Sequence, residues 1–450
     1  MENENKVRVC VIGAGPAGMS VLYQFAKLGK IPSIVCYEKQ STWGGIWNYT
    51  WRTGLDENNE PCHSSLYKDL WTNAPKEANI EFPDYTFEQH FGKPVPSYPP
   101  AAAIGDYLKG RWTNACFTDL KQFIQFNTIV RFVKFENNHF VVTIDDRKKN
   151  MTSQEVFSHV VVCSGVFNYP NQPEVRDIIK FEGRVMHSHN FRNANEFQGQ
   201  RVLIVGSHFS GEDIALHCLK FGAKHVYLSW RTKPTGLNWP NGIEERPELV
   251  RFDEKSAYFK DGSLANIDAV IFCTGFRNHF PYLDTNLRIA EDTSTYPDGL
   301  YKATLFLNGG NNKLFYIGAQ EQLYTMTYFD CLASWVCKYI LGKLADEPKT
   351  EQQMKNDVIR WTTRMASIAS IKDVADFQTA LLAEISSSSG YDKGILNAVP
   401  IFVDWIRHRE EDISNFRRHQ FRSMYTGTLA PTQTPYMKIF DDSLENFLKF

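Results

Sequence analysis

Short runs of consecutive apolar residues, each followed by small residues, recur along the chain. Two of them, 7–12 (VRVCVI) and 201–205 (RVLIV), lead into glycine-containing turns and then into predicted helices. Three others are HVVVCSG (159–165), DAVIFCTG (268–275) and LFYIG (314–318). Continuous apolar runs of this length are typical of strands buried on both faces of a parallel sheet. Their alternation with helices predicts an α/β fold with two Rossmann-type dinucleotide-binding units.

The first unit carries a complete G-x-G-x-x-G turn. Gly13, Gly15 and Gly18 follow the first apolar run, and a helix is predicted from Pro16. The next predicted strand, SIVCY, leads to Glu38, twenty positions after Gly18. A carboxylate at this spacing is typical of adenosine ribose binding, and the glycines let a pyrophosphate approach the helix N-terminus. This unit is therefore predicted to bind a dinucleotide.

The second unit repeats the order of strand, turn, helix and strand, but its turn reads GSHFSG. The turn begins at Gly206, the middle glycine is replaced by His208, and Phe209 and Ser210 follow. We take Gly206, Phe209 and Ser210 as candidate cofactor-binding residues. The missing glycine leaves open whether the turn holds a nucleotide in the usual way.

Arg231 stands where the first unit has its carboxylate, twenty positions after Gly211, and Thr232 follows it. Arginine presents a planar fork of donors that suits a phosphate. NADP carries a 2′-phosphate that NAD lacks, so this pair predicts NADP at the second unit. The alternative is that Arg231 is a surface arginine at the end of a strand.

Composition narrows the classes of partner. A net charge of −2 provides no basic surface for nucleic acid. None of the nine cysteines forms a C-x-x-C pair, which argues against a redox disulfide and fits a reducing compartment. No apolar run approaches the roughly 18 residues of a membrane-spanning helix, and the N-terminus lacks the pattern of a signal peptide. We therefore expect a cytoplasmic protein without nucleic-acid or membrane partners.

Between the two units the chain reads FEGRVMHSHNF, which fits F-x-G-x-x-x-H-x-x-x-F with Phe181, Gly183, His187 and Phe191. This string resembles the fingerprint of flavin-containing monooxygenases. Baeyer–Villiger monooxygenases have a similar string that ends in tryptophan, so Phe191 favours the former. The stretches 43–77 (WGGIWNYT…APKE), EFPDYTFEQHFGK, SYPP, WRTKPTGLNWP and FRSMYTGTLAPTQTPY are similar to the bacterial trimethylamine monooxygenase branch of that family.

The resemblance implies a mechanism in which cofactors carry the chemistry. Members bind FAD, take hydride from NADPH and use O2 as co-substrate to form a C4a-hydroperoxyflavin. That species oxygenates a small amine to its N-oxide, or a sulfide to its S-oxide, while NADP+ stays bound. A homodimer is also an expectation of the family. No catalytic triad, metal cluster or carboxylate pair is required.

The resemblance carries functional positions onto this chain. Asn73, in LWTNAPKE, matches the asparagine beside the flavin and is the candidate catalytic residue, and Trp71 matches a residue on the NADP side. Arg422 matches a second basic residue at NADP. Trp405, which a plain core role also explains, matches an aromatic on the substrate side, where Phe209 is expected too. The positions expected to contact FAD are Glu38, Gln40, Ile46, Trp47, His63, Val130, Gln322 and Thr325.

The domain organisation follows from the order of the units. Residues 1–168 and 280–450 are predicted to form a discontinuous FAD domain with a helical C-terminal region, and 169–279 an inserted NADP domain. The stretches 309–313 (GGNNK) and 386–394 (SSSSGYDKG) are predicted as loops.

Phe209 departs from the branch, which carries tyrosine there in a turn of the form GSSYSA. Phenylalanine keeps the ring and loses the hydroxyl. We hypothesise that this loosens NADP+ retention and widens substrate access. His208 either supplies a replacement donor or points to solvent.

Three alternatives stay open at this point. One is a Baeyer–Villiger-like or mixed-function oxygenase acting on ketones, against which Phe191 argues. A second is a disulfide reductase of the same architecture, against which the missing cysteine pair argues. A third is a non-catalytic sensor that binds FAD and NADP.

Overall fold

The computed structural model describes residues 7–56, 59–116, 118–344, 346 and 349–449. The strands, in chain order, are β1 (Arg8–Ile12), β2 (Ser33–Glu38), β3 (Ile124–Phe126), β4 (Thr128–Glu136), β5 (His139–Asp146), β6 (Met151–Phe157), β7 (His159–Val162), β8 (Arg184–His187), β9 (Arg201–Val205), β10 (His225–Ser229), β11 (Ile243–Arg246), β12 (Leu249–Phe252), β13 (Ser256–Phe259), β14 (Leu264–Asn266), β15 (Ala269–Phe272), β16 (Leu300–Tyr301), β17 (Leu305–Phe306) and β18 (Leu314–Tyr316). The helices are α1 (Pro16–Lys27), α2 (Lys76–Asn79), α3 (Phe87–Phe91), α4 (Ala101–Asn114), α5 (Phe209–Lys220), α6 (Thr325–Ile340), α7 (Glu351–Met365), α8 (Ile371–Ser389), α9 (Ala398–Glu411) and α10 (Leu444–Phe447).

Two largely parallel sheets form the framework. The first has the order β16-β17-β18-β7-β1-β2-β3, and the second has the order β11-β10-β9-β15-β8. Strands β4-β5-β6 and β12-β13-β14 form two separate antiparallel sheets. The five apolar runs of the sequence become β1, β7, β9, β15 and β18, which confirms the predicted α/β class.

The first sheet draws its strands from residues 1–168 and 280–450, and the second draws its strands from 169–279. The chain therefore leaves the first sheet after β7, builds the second, and returns through β16–β18. The domain boundaries and the cofactor of each unit stay predictions.

The first glycine of each turn lies against a neighbouring strand. Gly13 has φ +99°, and a Cβ atom added to it would lie 2.7 Å from the carbonyl oxygen of Cys163. Gly206 has φ +108°, and its Cβ atom would lie 2.4 Å from the carbonyl oxygen of Cys273. Both positions combine a backbone conformation that side chains disfavour with a contact that leaves no room for one.

The middle position of the turn leaves room for a side chain in both units. Gly15 has φ −73°, so its backbone suits any residue, and a Cβ atom there would lie at an ordinary 3.6 Å from Gly45 Cα. His208 has a similar extended backbone, with φ −102°, and is exposed. The segment around Gly45 crosses the first turn, and Gly44 N–H donates to the Ala14 carbonyl at 2.9 Å. The second turn is thus a regular turn that tolerates a side chain, and His208 points to the surface.

The C-terminal third is largely helical, as predicted, and covers the first unit. Helix α6 packs on α1, and Asp330 of α6 accepts hydrogen bonds from Gln24 and from the fully buried Arg111. The predicted loop 386–394 is wrong at its start, because residues 386–389 form the last turn of α8. Ser389 Oγ donates to the Ile385 carbonyl, and the helix ends only at Gly390, which has φ +63°. The stretch 309–313 connects β17 and β18 with a short 3-10 turn.

Helix α5 of the second unit is tied to the rest of the chain by buried ion pairs. Glu212 pairs with Arg409 of α9, and Lys220 pairs with Asp69. Among the described residues no helix is both long and apolar enough to cross a membrane.

Replacing Gly13 by alanine is expected to destabilise the fold strongly. The positive φ and the overlap with the Cys163 carbonyl together are expected to cost about 2–4 kcal/mol. The free energy of unfolding in urea measures this. Gly105→Ala is the matched control, because Gly105 lies inside α4 and its Cβ atom would meet Trp47 O at an ordinary 3.5 Å. We expect the control to change stability by at most about 1 kcal/mol, and equal losses in the two variants would contradict the account.

Glu212 is expected to make stability depend on pH. Burial raises its pKa from 4.5 to about 7 despite the neighbouring Arg409. Between these two values the unfolded chain loses the proton and the folded protein keeps it, so stability falls as pH rises, by up to about 1.4 kcal/mol per pH unit. Glu212→Gln removes this decline. Urea unfolding of both proteins at pH 5, 6 and 7 measures the decline. If the free energy of unfolding changed equally with pH in the two proteins, the pKa of Glu212 would not be raised by folding.

Candidate functional site

A cavity of about 340 Å³ lies at the carboxyl edge of the first sheet. It extends from the turn after β1, past the end of β2, to the start of α6. The predicted residues that line it are Gly13, Gly15, Pro16, Glu38, Gln40, Ile46, Trp47, His63, Val130, Gln322 and Thr325. The fold thus brings together residues from four separate parts of the chain. Gly18 lies beneath the turn, where a Cβ atom would be 1.9 Å from the Gly13 carbonyl oxygen.

The turn end of the cavity suits an anion. Helix α1 begins at Pro16 and has no acidic residue in its first turn. The free N–H groups and the dipole of a helix N-terminus favour a phosphate at such a place.

Glu38 ties the turn to the end of β2. One carboxylate oxygen accepts from Ala14 N–H and the other from Gln40 N–H, both at 2.7 Å. Burial raises the pKa of Glu38, and these backbone donors oppose that rise. Each oxygen keeps a further lone pair for a ligand hydroxyl.

Buried polar atoms at the cavity lack a partner among the described residues. They include Trp47 Nε1, a donor, and Gln322 Oε1, an acceptor. Buried polar groups are nearly always hydrogen-bonded, so unpaired ones at a cavity indicate a ligand with matching polar groups. An anion-binding turn, an acid placed for hydroxyls and these unpaired atoms together fit FAD.

Two further segments line the cavity that the sequence did not single out for binding. They are 163–169, which follows β7, and the stretch that includes His279, Pro281 and Tyr282. Ser164 Oγ and Tyr282 OH are 2.7 Å apart and join the two segments. The first segment lies where the chain leaves the first sheet, and the second lies where the chain returns towards it. The feature of the sequence that indicates both segments is the small-residue turn after an apolar run.

Residues next to the fingerprint motif support one wall of this cavity. The motif's own His187 and Phe191 are buried. Next to them, His189 Nε2 donates to the Cys62 carbonyl at 3.1 Å, and Arg192 donates to the Ser64 carbonyl at 2.6 Å. Neither His189 nor Arg192 is a motif position, so no pattern in the sequence indicated this support.

Phe209 and Trp405 form an aromatic pair, with ring centroids 5.5 Å apart. The guanidinium carbon of Arg409 lies 4.8 Å from the Phe209 ring and 5.0 Å from the Trp405 ring. The predicted substrate-side residues are therefore together, and Arg409 joins them. The His208 ring lies 4.3 Å from the Phe209 ring and is tilted to it. The residue as a whole is exposed, but neighbouring groups partly desolvate its imidazole, which lowers the pKa, and the nearby Arg409 adds to that shift. Its imidazole makes no hydrogen bond within the described ranges.

Asn73 lies beside this aromatic pair. Trp405 Nε1 donates to its carbonyl oxygen at 2.7 Å, and its Nδ2 donates to Asp213 Oδ1 at 3.2 Å. Trp71 is 1% exposed, and its Nε1 donates to Asp69. Trp71 packs against Phe447 and does not line the cavity.

The remaining predicted NADP residues lie at the carboxyl edge of the second sheet. Gly206 and Ser210 flank the turn, while Arg231 and Thr232 are exposed just after β10. The Arg231 side chain has neither a hydrogen bond nor an ion pair within the described part of the chain. Arg422 lies elsewhere, in a turn where it donates to the Gly427 carbonyl at 2.9 Å.

Other chemistries find no support in the described part of the chain. No group of three or more metal-ligating side chains occurs there. All nine cysteines are unpaired, and eight are buried, so no redox disulfide is present.

Comparison with known proteins identifies the family. The family Flavin-binding monooxygenase-like matches residues 6–238 and 241–393. A trimethylamine monooxygenase from Methylocella silvestris is 43% identical over 448 residues, which are 98% of each chain. The crystal structure of Tmm from Pelagibacter sp. is 40% identical with a TM-score of 0.94, over 98% of this chain and all of the other. S-allyl-L-cysteine S-oxygenase from Allium sativum is 25% identical with a TM-score of 0.78, over 92% and 95% of the two chains.

The family match spans most of the chain, and relatives above 40% identity match it from end to end. The resemblance drawn from the fingerprint is therefore confirmed, and the chain belongs to the flavin-binding monooxygenase-like family.

Proposed function

We propose that this enzyme oxygenates a small tertiary amine such as trimethylamine to its N-oxide, using FAD, NADPH and O2, and that it accepts sulfides as well. The observation that carries the proposal is full-length identity of 43% to a trimethylamine monooxygenase. The overall reaction is R3N + O2 + NADPH + H+ → R3N–O + NADP+ + H2O. The reduced flavin supplies the electrons that activate O2, and the chain supplies binding, orientation and exclusion of water.

We assign FAD to the cavity of the first unit. The N-terminus of α1 would hold the pyrophosphate, Glu38 the ribose hydroxyls, and Trp47 and Gln322 would pair with polar groups of the cofactor. These roles agree with the unpaired buried atoms and with the absence of an acid in the first turn of α1.

We assign NADPH to the turn at Gly206, with Arg231 and Thr232 at the 2′-phosphate. The exposed and unpaired Arg231 supports this role, since its whole donor fork is available. Glu212 in the first turn of α5 would repel a phosphate when charged, and its raised pKa, about 7, reduces that negative charge.

We place the amine at the Phe209–Trp405 pair, near Asn73. The amine lone pair is the nucleophile, so the neutral amine is the reactive form. Arg409 already occupies the faces of both rings, and its positive charge disfavours a protonated amine there. The charge of Arg409 at the aromatic pair therefore favours binding of the neutral amine, which is the form that reacts.

A cytoplasmic location is part of the proposal. It is supported by the nine unpaired cysteines, which fit a reducing compartment.

The test uses the purified, FAD-loaded protein in air. NADPH consumption is followed with and without trimethylamine, and N-oxide and H2O2 are quantified. We expect slow NADPH consumption without the amine and faster consumption with it. The N-oxide formed should match the additional NADPH consumed. With NADH in place of NADPH, we expect slower consumption. Rapid consumption that yields only H2O2 at every amine concentration would contradict the proposed substrate.

Phe209→Tyr is expected to tighten retention of NADP+. The added hydroxyl restores a possible hydrogen bond, which is worth about threefold to tenfold in a population or a rate. We expect the rate of H2O2 formation without amine to fall by that factor, and the range of accepted amines and sulfides to narrow. Phe440→Tyr is the matched control, because it adds the same hydroxyl to a ring that is 61% exposed. No change in either readout for Phe209→Tyr would end the hypothesis.

A further inference from the structure

The two ends of the Asn73 amide have different surroundings. Its Nδ2 donates to Asp213 Oδ1 at 3.2 Å. Its Oδ1 is buried and has no partner among the described residues. A buried acceptor without a partner is costly in a finished structure, so this oxygen is the atom that a ligand would satisfy.

The orientation of this amide is determined by charge. Asp213 Oδ1 also accepts from Arg417 Nη2 at 2.6 Å, and the Arg417 side chain is 1% exposed. Arginine keeps its charge in proteins, so Asp213 faces a permanent cation and acts as an acceptor. Turning the amide by 180° would bring the Asn73 oxygen against that carboxylate. The repulsion excludes this arrangement, which resolves the usual ambiguity between the two ends of an amide.

The main chain around Asn73 is held as well. Trp405 Nε1 donates to the Asn73 carbonyl at 2.7 Å, and Arg417 Nε donates to the Thr72 carbonyl at 2.9 Å. Because the carbonyl groups of Thr72 and Asn73 are both held, rotation of the side-chain amide is the main conformational freedom left to Asn73. The hydrogen bond to Asp213 removes that freedom.

We propose that Asp213 is a positioning residue that makes Asn73 offer its carbonyl oxygen, as an acceptor, to an N–H group of a bound cofactor. This inference rests on the proposed function and on the family resemblance, which matches Asn73 to the asparagine beside the flavin. Asp213 lies on α5, in the second unit, so the nucleotide-binding helix of one unit sets the hydrogen-bonding character of a residue in the other. An N–H donor of the flavin and the carboxamide of nicotinamide share this chemistry, and the experiment separates them.

The test compares Asn73→Ala, Asp213→Ala and the conservative variant Asp213→Asn. Two readouts are recorded for each FAD-loaded protein. One is the visible absorption spectrum of the flavin, with and without NADP+. The other is the fraction of NADPH that yields H2O2 in the presence of trimethylamine. A spectral change without NADP+ assigns the donor to the flavin, and a change only with NADP+ assigns it to the nicotinamide.

Asp213→Ala removes the acceptor of Asn73 Nδ2, so the amide at 73 is no longer held in one orientation. We expect the spectrum to change as in Asn73→Ala, and the H2O2 fraction to rise about threefold to tenfold. In Asp213→Asn, Arg417 Nη2 holds the new amide oxygen where Asp213 Oδ1 lies, and that oxygen still accepts from Asn73 Nδ2. We therefore expect Asp213→Asn to keep most of the wild-type spectrum and H2O2 fraction, although it removes the charge partner of the buried Arg417. A merely structural role of the ion pair predicts a loss in both variants.

Asp330→Ala is the control for loss of a carboxylate from a buried ion pair. Asp330 pairs with Arg111, both side chains are fully buried, and neither contacts Asn73. We expect it to lower the melting temperature, as Asp213→Ala does, while keeping the wild-type spectrum and H2O2 fraction.

Three results would overturn the inference. One is an Asp213→Ala protein with the wild-type spectrum while Asn73→Ala differs, and another is an Asn73→Ala protein that does not differ from the wild type. The third is an Asp213→Asn protein that is changed as strongly as Asp213→Ala. Failure of the proposed function is a separate outcome, in which the wild type makes no N-oxide from trimethylamine. The spectra still decide the role of Asp213 in that case.

Discussion

The contact between the first glycine of each turn and the carbonyl of a neighbouring strand is the constraint on which both units depend. Gly13 lies against Cys163, just beyond β7, and Gly206 lies against Cys273, just beyond β15. This contact bends the chain sharply at the carboxyl edge of the sheet and directs the next helix N-terminus there. The anion-binding end of the cavity exists because of that bend. Without it, Glu38 and the start of α1 would not face the same space.

The two turns also show which glycines a nucleotide turn requires and why. The first position needs glycine in both units for the same two reasons, a positive φ and a close carbonyl. The middle position carries neither requirement, because its φ is negative in both units and a Cβ atom at Gly15 would make only an ordinary contact with Gly45. Glycine at that position serves the close approach of a pyrophosphate. His208 is therefore compatible with a working turn, and a search for the full glycine pattern would reject a turn of sound geometry.

Sequence reasoning succeeded where the signal is local. Each strand run is contiguous in the sequence, and Glu38 follows Gly18 by twenty positions, so period and spacing locate them. The family resemblance extended this to Phe209, Trp405 and Asn73, which lie together in the structure. The partners of these residues were not predictable, because Asn73 and Asp213 are 140 positions apart and Trp405 is 332 positions from Asn73. The serines at 386–389 were misread for a related reason, since burial against α6 overrode their preference for loops.

Three parts of the chain meet at Asn73, and each contributes a different restraint. The residue itself follows the first unit, its backbone carbonyl is held by the C-terminal helix α9, and its side chain is held by α5 of the second unit. A shift of the second unit relative to the first would therefore alter the Asn73 amide before it altered the cavity at Glu38, whose partners are all local. The turn at Gly13 with Glu38 and the amide of Asn73 therefore depend on different parts of the structure. The contacts of Glu38 lie within the first unit, whereas those of Asn73 require both units and the C-terminal region to be in register.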